Sequence, residues 1–187
     1  MKNYFAAILC LVLLVMGYGC TTFYNAAVDE RNVRTVASDT KIKATILQKF
    51  IEDNVVKTFD IDISCYYGHV YLIGEYDVEK QKNRAIEIAG NVEGVKDVTT
   101  YLLKKKDGDP CGATDNLAMK AKIKAKLIKD GDIWSTNVDV TVIQCNVVFV
   151  GIVGSDKEIE KIIAHAESIG GIRSVKSFLK VAPHYNQ

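Results

Sequence analysis

Val92-Glu93-Gly94-Val95-Lys96-Asp97-Val98 returns 77 residues later as Ile169-Gly170-Gly171-Ile172-Arg173-Ser174-Val175. Carried outward in both directions, the same shift superposes residues 39–102 on residues 116–179 without a gap. Lys43-Ala44 falls on Lys120-Ala121, Asp53 on Asp130, Asp62 on Asp139, Gly74 on Gly151 and Leu102 on Leu179. Where the residue changes its class is kept: Ile61 and Ile63 become Val138 and Val140, and Tyr101 becomes Phe178. Glycines and apolar positions that hold one register over such a length mark a duplicated fold.

The order of elements follows from periodicity. From Ser38 to Glu52, Ile42, Ile46, Leu47, Phe50 and Ile51 recur at helical spacing, with Ser38 or Asp39 as cap. Asp60 to Tyr66 alternates, Tyr67-Gly68-His69 turns the chain, and Val70 to Gly74 runs back as the second arm of a hairpin. A second helix covers Asp77 to Asn91, with Val78, Ala85, Ile86, Ala89 and Val92 at helical spacing; Gly94 breaks it, and Val95 to Leu103 is a strand. The second copy repeats this order. Its first helix spans Ala118 to Lys129 with Met119, Ile123, Leu127 and Ile128 inward, and its last strand is Val175 to Val181. The fold class is α+β: two tandem α-β-β-α-β units, each with two helices on one face of a small mixed sheet. Val33 to Val36 is a candidate extra edge strand for the first unit. The units are placed at 38–104 and 113–182, joined by a linker at 105–112 and followed by a tail at 183–187.

The N-terminus carries a different signal. Lys2 precedes an apolar run from Tyr4 to Met16, followed by Gly17-Tyr18-Gly19-Cys20. Such a run is too short to cross a ~30 Å hydrocarbon layer as a helix but suits a signal peptide, here residues 1–19. Gly19-Cys20 resembles the lipobox, although Gly17 and Tyr18 stand where aliphatic and small residues are usual. The expectation is an N-acyl diacylglycerol on Cys20, followed by a lipidated segment at 20–37, with no other cofactor. An ordinary secretory signal cut elsewhere is the alternative. Thr21, in place of an aspartate, favours the outer membrane over the inner by resemblance to enterobacterial sorting. Loss of residues 1–19 leaves 23 basic against 23 acidic residues, so no global positive field recruits nucleic acid.

The α-β-β-α-β order, the hairpin arm ending in Gly74 or Gly151 and the glycine-valine runs at 92–98 and 169–175 resemble the BON domain, bacterial OsmY and nodulation. Two such units behind a lipobox resemble the dual-BON-domain outer-membrane lipoproteins, and Asp29 to Asp39 is similar to the lead-in to their first domain. That resemblance implies no catalysis. It implies contact with anionic phospholipid on the periplasmic side of the outer membrane, through the first helix of the second unit, in support of envelope integrity. The family's exposed aromatic near the start of that helix is absent, since Leu117 and Ala118 occupy its place.

Read for itself, the helix carries Lys120, Lys122, Lys124, Lys126 and Lys129, with no acid from Asn116 to Lys129. Leu117, Ile133 and Trp134 flank the lysines as candidates for the headgroup region. A solvated lysine face is the alternative use of such a run. Three cysteines remain in an oxidising compartment, enough for one pair and one spare. Cys111 precedes the first helix of the second unit and Cys145 lies at its hairpin tip. A helix of ~16 residues and a strand of ~7 are of similar length, so both cysteines reach one end of the unit and pair. Cys65, in phase with Ile61 and Ile63, reads as a buried thiol.

Catalysis has no support in the pattern. His69, His165 and His184 form no metal-ligand spacing, and no GxSxG, HExxH or phosphate loop occurs. Asp60, Asp62 and Asp139 read as solvent-facing strand positions that confer solubility. Two functions from different classes remain: peripheral binding to an anionic phospholipid membrane, or a scaffold that docks an envelope assembly or secretion protein.

Overall fold

A computed structural model describes residues 33–56 and 60–182. The signal peptide, Cys20 and the tail from residue 183, with His184, lie outside the described residues. The first unit runs α1 (Val33–Glu52), β1 (Ile61–Tyr66), β2 (His69–Tyr76), α2 (Glu79–Gly90), β3 (Asp97–Lys104). The second runs α3 (Ala113–Lys129), β4 (Val138–Ile143), β5 (Asn146–Val153), α4 (Asp156–Glu167), β6 (Ser174–Val181), with a 3-10 turn at Ser135–Asn137 before β4. Sheet order is β1-β2-β3 and β4-β5-β6. The first pair in each sheet is antiparallel and the second parallel, as a hairpin followed by a helical crossover requires.

Val33 to Val36 is not an edge strand. Its β-branched residues suit a strand, but half-buried Val36 continues the stripe of Asp39, Ile42, Ile46 and Phe50 back by one turn, and the segment is the first turn of α1. Neither Ser38 nor Asp39 therefore caps the helix. Asp39 is buried within it and accepts the N–H groups of Tyr67 and Gly68, both at 2.8 Å. Its counterpart Asn116 accepts the Cys145 N–H at 3.0 Å. These bonds hold two-residue turns in which both central residues have positive φ, Tyr67-Gly68 and Gln144-Cys145. That geometry matches the twist of a hairpin but strains the three non-glycine residues, so the side chain beneath each turn has a mechanical role.

Each sheet packs its helices on one face. Ile42, Ile46, Phe50, Val70, Leu72, Ala85 and Ala89 centre the first core; Ile123, Leu127, Val147, Phe149, Ile162 and Ala166 centre the second. Gly74 and Gly151 are needed because a Cβ at either would run into the carbonyl oxygen of Asp60 or Asn137. Gly94 and Gly171, both at φ +90°, let the chain pass under Ile42 and Met119. Ile128, read as inward, instead faces out at 70% exposure, and Val78 and Ile51, read at helical spacing, are 58% and 67% exposed. Ile51 and Ile128 lie one step beyond the buried arc of their helices, where an apolar residue is tolerated but not covered, and Val78 precedes α2 as its extended cap residue.

The opposite faces of the two sheets meet. Tyr71 and Ile73 of the first sheet pack with Val148 and Val150 of the second, flanked by Tyr66, Tyr101 and Phe178. Tyr71 corresponds to Val148, Ile73 to Val150 and Tyr101 to Phe178, so each unit contributes the same patch. The polar contacts obey the same exchange. Ser64 donates to Asp139 at 2.7 Å, and Thr141, the counterpart of Ser64, donates to Asp62, the counterpart of Asp139, at 2.9 Å. The seam is thus an isologous interface within one chain, related by a pseudo-two-fold axis. Asp62 and Asp139 are exposed yet accept hydrogen bonds across the seam, a role beyond solubility, and Tyr66 adds a third bond to Asp139 at 3.0 Å.

Candidate functional site

Helix α3 is built from alanines and lysines, residues of high helix propensity. Asp115 accepts the Gly112 N–H at 3.2 Å at its start, and Lys126 and Lys129 complement the carbonyl end. Ile123 and Leu127 bury its inner face. At about 100° per residue, Lys120, Lys124, Leu117 and Ile128 fall within an arc of about 80°, and Lys122, Lys126 and Lys129 share another flank. Lys122, Lys124, Lys126 and Lys129 are exposed and Lys120 is half-buried. Among the described residues none of the five forms an ion pair, whereas the neighbouring Lys161 is held by Asp130 and Asp132. Their charge is therefore available to an external partner.

Of the apolar candidates, Leu117 is 68% and Trp134 51% exposed. Ile133 is not available: it is buried in the second core, and its backbone N–H is tied to the Asp130 carbonyl at 3.1 Å. After the helix Gly131 and Asp132 are exposed, Ile133 turns in to the core and Trp134 faces out. The Trp134 backbone N–H donates to buried Glu158 at 2.9 Å, which fixes the main chain from which the indole projects. The residue missed in sequence is Ile128. The signal that finds it is its spacing from Leu117, three turns along one side of α3.

A second feature lies on the pseudo-two-fold axis. An open cleft of about 410 Å³ is bordered by Lys43 and Leu47 of α1, Lys120 and Lys124 of α3, and Asp62 and Asp139 of the sheets. Lys120 and Lys124 are thereby brought together with Lys43 from the other unit.

Cys111 and Cys145 are joined by a disulfide, with Cα atoms 5.7 Å apart, and Cys65 is a free, buried thiol. The disulfide ties the end of the linker to the strained β4–β5 turn. Beside it, Arg173 makes a two-pronged pair with Asp109, both bonds at 2.8 Å, and the Cys111 N–H adds a third at 2.8 Å. These donors, the guanidinium first, hold the Asp109 carboxyl down to about 2. At the end of α3, Asp130 is likewise held to about 2 by His165 first, then by the Asp132 N–H and Lys161. Among the described residues no group of three or more His, Cys, Asp or Glu is placed to hold a metal, and no helix is long and apolar enough to cross a membrane.

A tandem α+β protein with a mixed three-stranded sheet in each unit is thus defined by fold. The BON domain model matches residues 38–104 and 115–183, and the chain belongs to that family, with two copies of the domain. It is 29% identical over 144 residues to osmotically-inducible protein Y of Escherichia coli strain K12, covering 76% of this chain and 72% of that protein. It is 25% identical over 145 residues to an uncharacterised Anaplasma centrale protein, covering 76% of this chain and 94% of the other. Among solved structures, the C-terminal domain of CdsD from the type III secretion system of Chlamydia trachomatis matches at 14% identity with a TM-score of 0.32, covering 78% of this chain and 67% of that one. A likeness of that degree decides nothing about function.

Proposed function

We propose that this protein is a non-catalytic envelope protein that lies against anionic phospholipid on the periplasmic side of the outer membrane, through α3, and supports the barrier. The observation that carries the reading is the set of five lysines on α3 free of ion pairs among the described residues, beside exposed Leu117, Ile128 and Trp134. Each lysine near a negative surface contributes about 1 kcal/mol at most. Partial insertion of apolar side chains, worth roughly 1.5–3 kcal/mol each when fully buried, brings the total to the ~8 kcal/mol of micromolar binding. Membership of the BON family and the similarity to osmotically-inducible protein Y, whose name ties that relative to osmotic stress, support an envelope role. Acylation of Cys20 belongs to the same proposal. It keeps the protein at the bilayer, while α3 sets its orientation there.

Flotation with phosphatidylglycerol-rich and phosphatidylcholine vesicles tests the reading, using the chain from residue 21 beside a Lys120→Ala, Lys122→Ala, Lys124→Ala, Lys126→Ala variant. The expected result is salt-sensitive binding to the anionic vesicles alone, lost in the variant. Absence of binding to both vesicles overturns it in favour of a protein partner.

A further inference from the structure

We propose that the cleft on the pseudo-two-fold axis is a headgroup site for a phosphate ester carrying an ammonium group, the chemistry of a phosphoethanolamine lipid. The proposal rests on the membrane reading and gives it a lipid class.

The repeat places like groups on both walls. Lys43 and its counterpart Lys120 both line the cleft, as do Asp62 and its counterpart Asp139. The pseudo-symmetry breaks at one rim position, where Leu47 of α1 is answered by Lys124 of α3. Three lysines and two carboxylates therefore border one hollow, and among the described residues no lysine forms an ion pair with either carboxylate. Among the described residues the side-chain donors on each carboxylate are hydroxyls: Thr141 on Asp62, Ser64 and Tyr66 on Asp139. A purely anionic ligand would meet two carboxylates, and a purely cationic one three lysines. A ligand with a phosphate and an ammonium a few bonds apart satisfies both sets together. The rim is suited to the rest of a lipid. Leu47 is 40% exposed, and one turn further along the same helix faces lie Ile51 and Ile128, at 67% and 70%. They are counterpart positions in the two units, one helical turn beyond the lining residues Leu47 and Lys124, and the proposal assigns them to the acyl chains.

The test is an amide-shift titration of the ¹⁵N-labelled chain from residue 21, which retains every element of both units, with glycerophosphoethanolamine, glycerol 3-phosphate and ethanolamine. Saturable shifts at Asp62, Ser64, Lys124, Asp139 and Thr141 with the first compound are expected, and both half-ligands are expected to bind more weakly. Lys43→Ala and Lys120→Ala, which remove no hydrogen bond within the protein among the described residues, should each weaken binding about fivefold. Shifts scattered away from the cleft, equal affinity for glycerol 3-phosphate, or full affinity in both variants would overturn the proposal. Vesicles of phosphatidylcholine with and without phosphatidylethanolamine separate the sources. Recruitment by the ethanolamine lipid supports a lipid headgroup, and binding of the soluble compound without recruitment overturns the lipid assignment. Failure of the cleft leaves intact any salt-sensitive binding to phosphatidylglycerol, so the two readings fail separately.

Discussion

Asp39 and Asn116 show how far single residues were legible. Their shared position stood out in the repeat, and a carboxylate beside Ser38 resembles a helix cap. The bonds they make run to a turn 28 or 29 residues away, a distance no local pattern spans. Gly74 and Gly151 were legible as repeated glycines, but their reason, the carbonyl opposite, appears only when strands pair. The paired aspartates give a pH dependence. Asp109 and Asp130 both titrate at about 2, below their ordinary value near 3.8. A carboxylate held down in the folded state contributes stability that is complete above its ordinary pKa and is lost as pH falls through the folded value. Urea midpoints should therefore be level from pH 7 to about 4.5 and decline between about pH 4 and 2. The decline should be shallower in Asp109→Asn.

At the level of elements, the helices and strands followed from spacing, with ends displaced by a few residues as frayed termini usually are. α1 and α3 begin five residues earlier than periodicity indicated: the β-branched start of α1 reads as a strand, and the first turn of α3 is largely exposed and carries little apolar signal. The disulfide acts on two elements, clamping the start of α3 to the β4–β5 turn across a sequence separation of 34. Loop-closure entropy of that length is worth about 3–4 kcal/mol. Reduction should lower the melting temperature by roughly 10 °C, readable by calorimetry with and without dithiothreitol. Cys65, buried beneath α1 and donating to Asp39 at 3.4 Å, should resist alkylation until the protein unfolds.

The whole molecule is governed by its internal two-fold seam. Ile73→Asp puts an unpaired carboxylate where Ile73 is 2% exposed and meets the opposite sheet. It should split one cooperative unfolding transition into two, each belonging to one unit, as followed by denaturant titration with far-ultraviolet circular dichroism and tryptophan fluorescence. Trp134, the chain's single tryptophan, reports the second unit alone. A single coincident transition in that variant would show that the seam does not couple the units. The sequence by itself determined the duplication, the α-β-β-α-β order, the two helix-facing cores and the lysine-rich helix, since all of these are written in local period and in the 77-residue shift. The runs in β2 and β5 are apolar on successive residues, a pattern that goes with burial on both faces, but the sequence reading assigned only the helix-covered face. Only the tertiary structure decided what covers the second face, and with it the cleft that joins Lys43 to Lys120 and Lys124. Hydrophobic burial is non-directional, so a pattern records that a surface is removed from water without naming the surface that removes it.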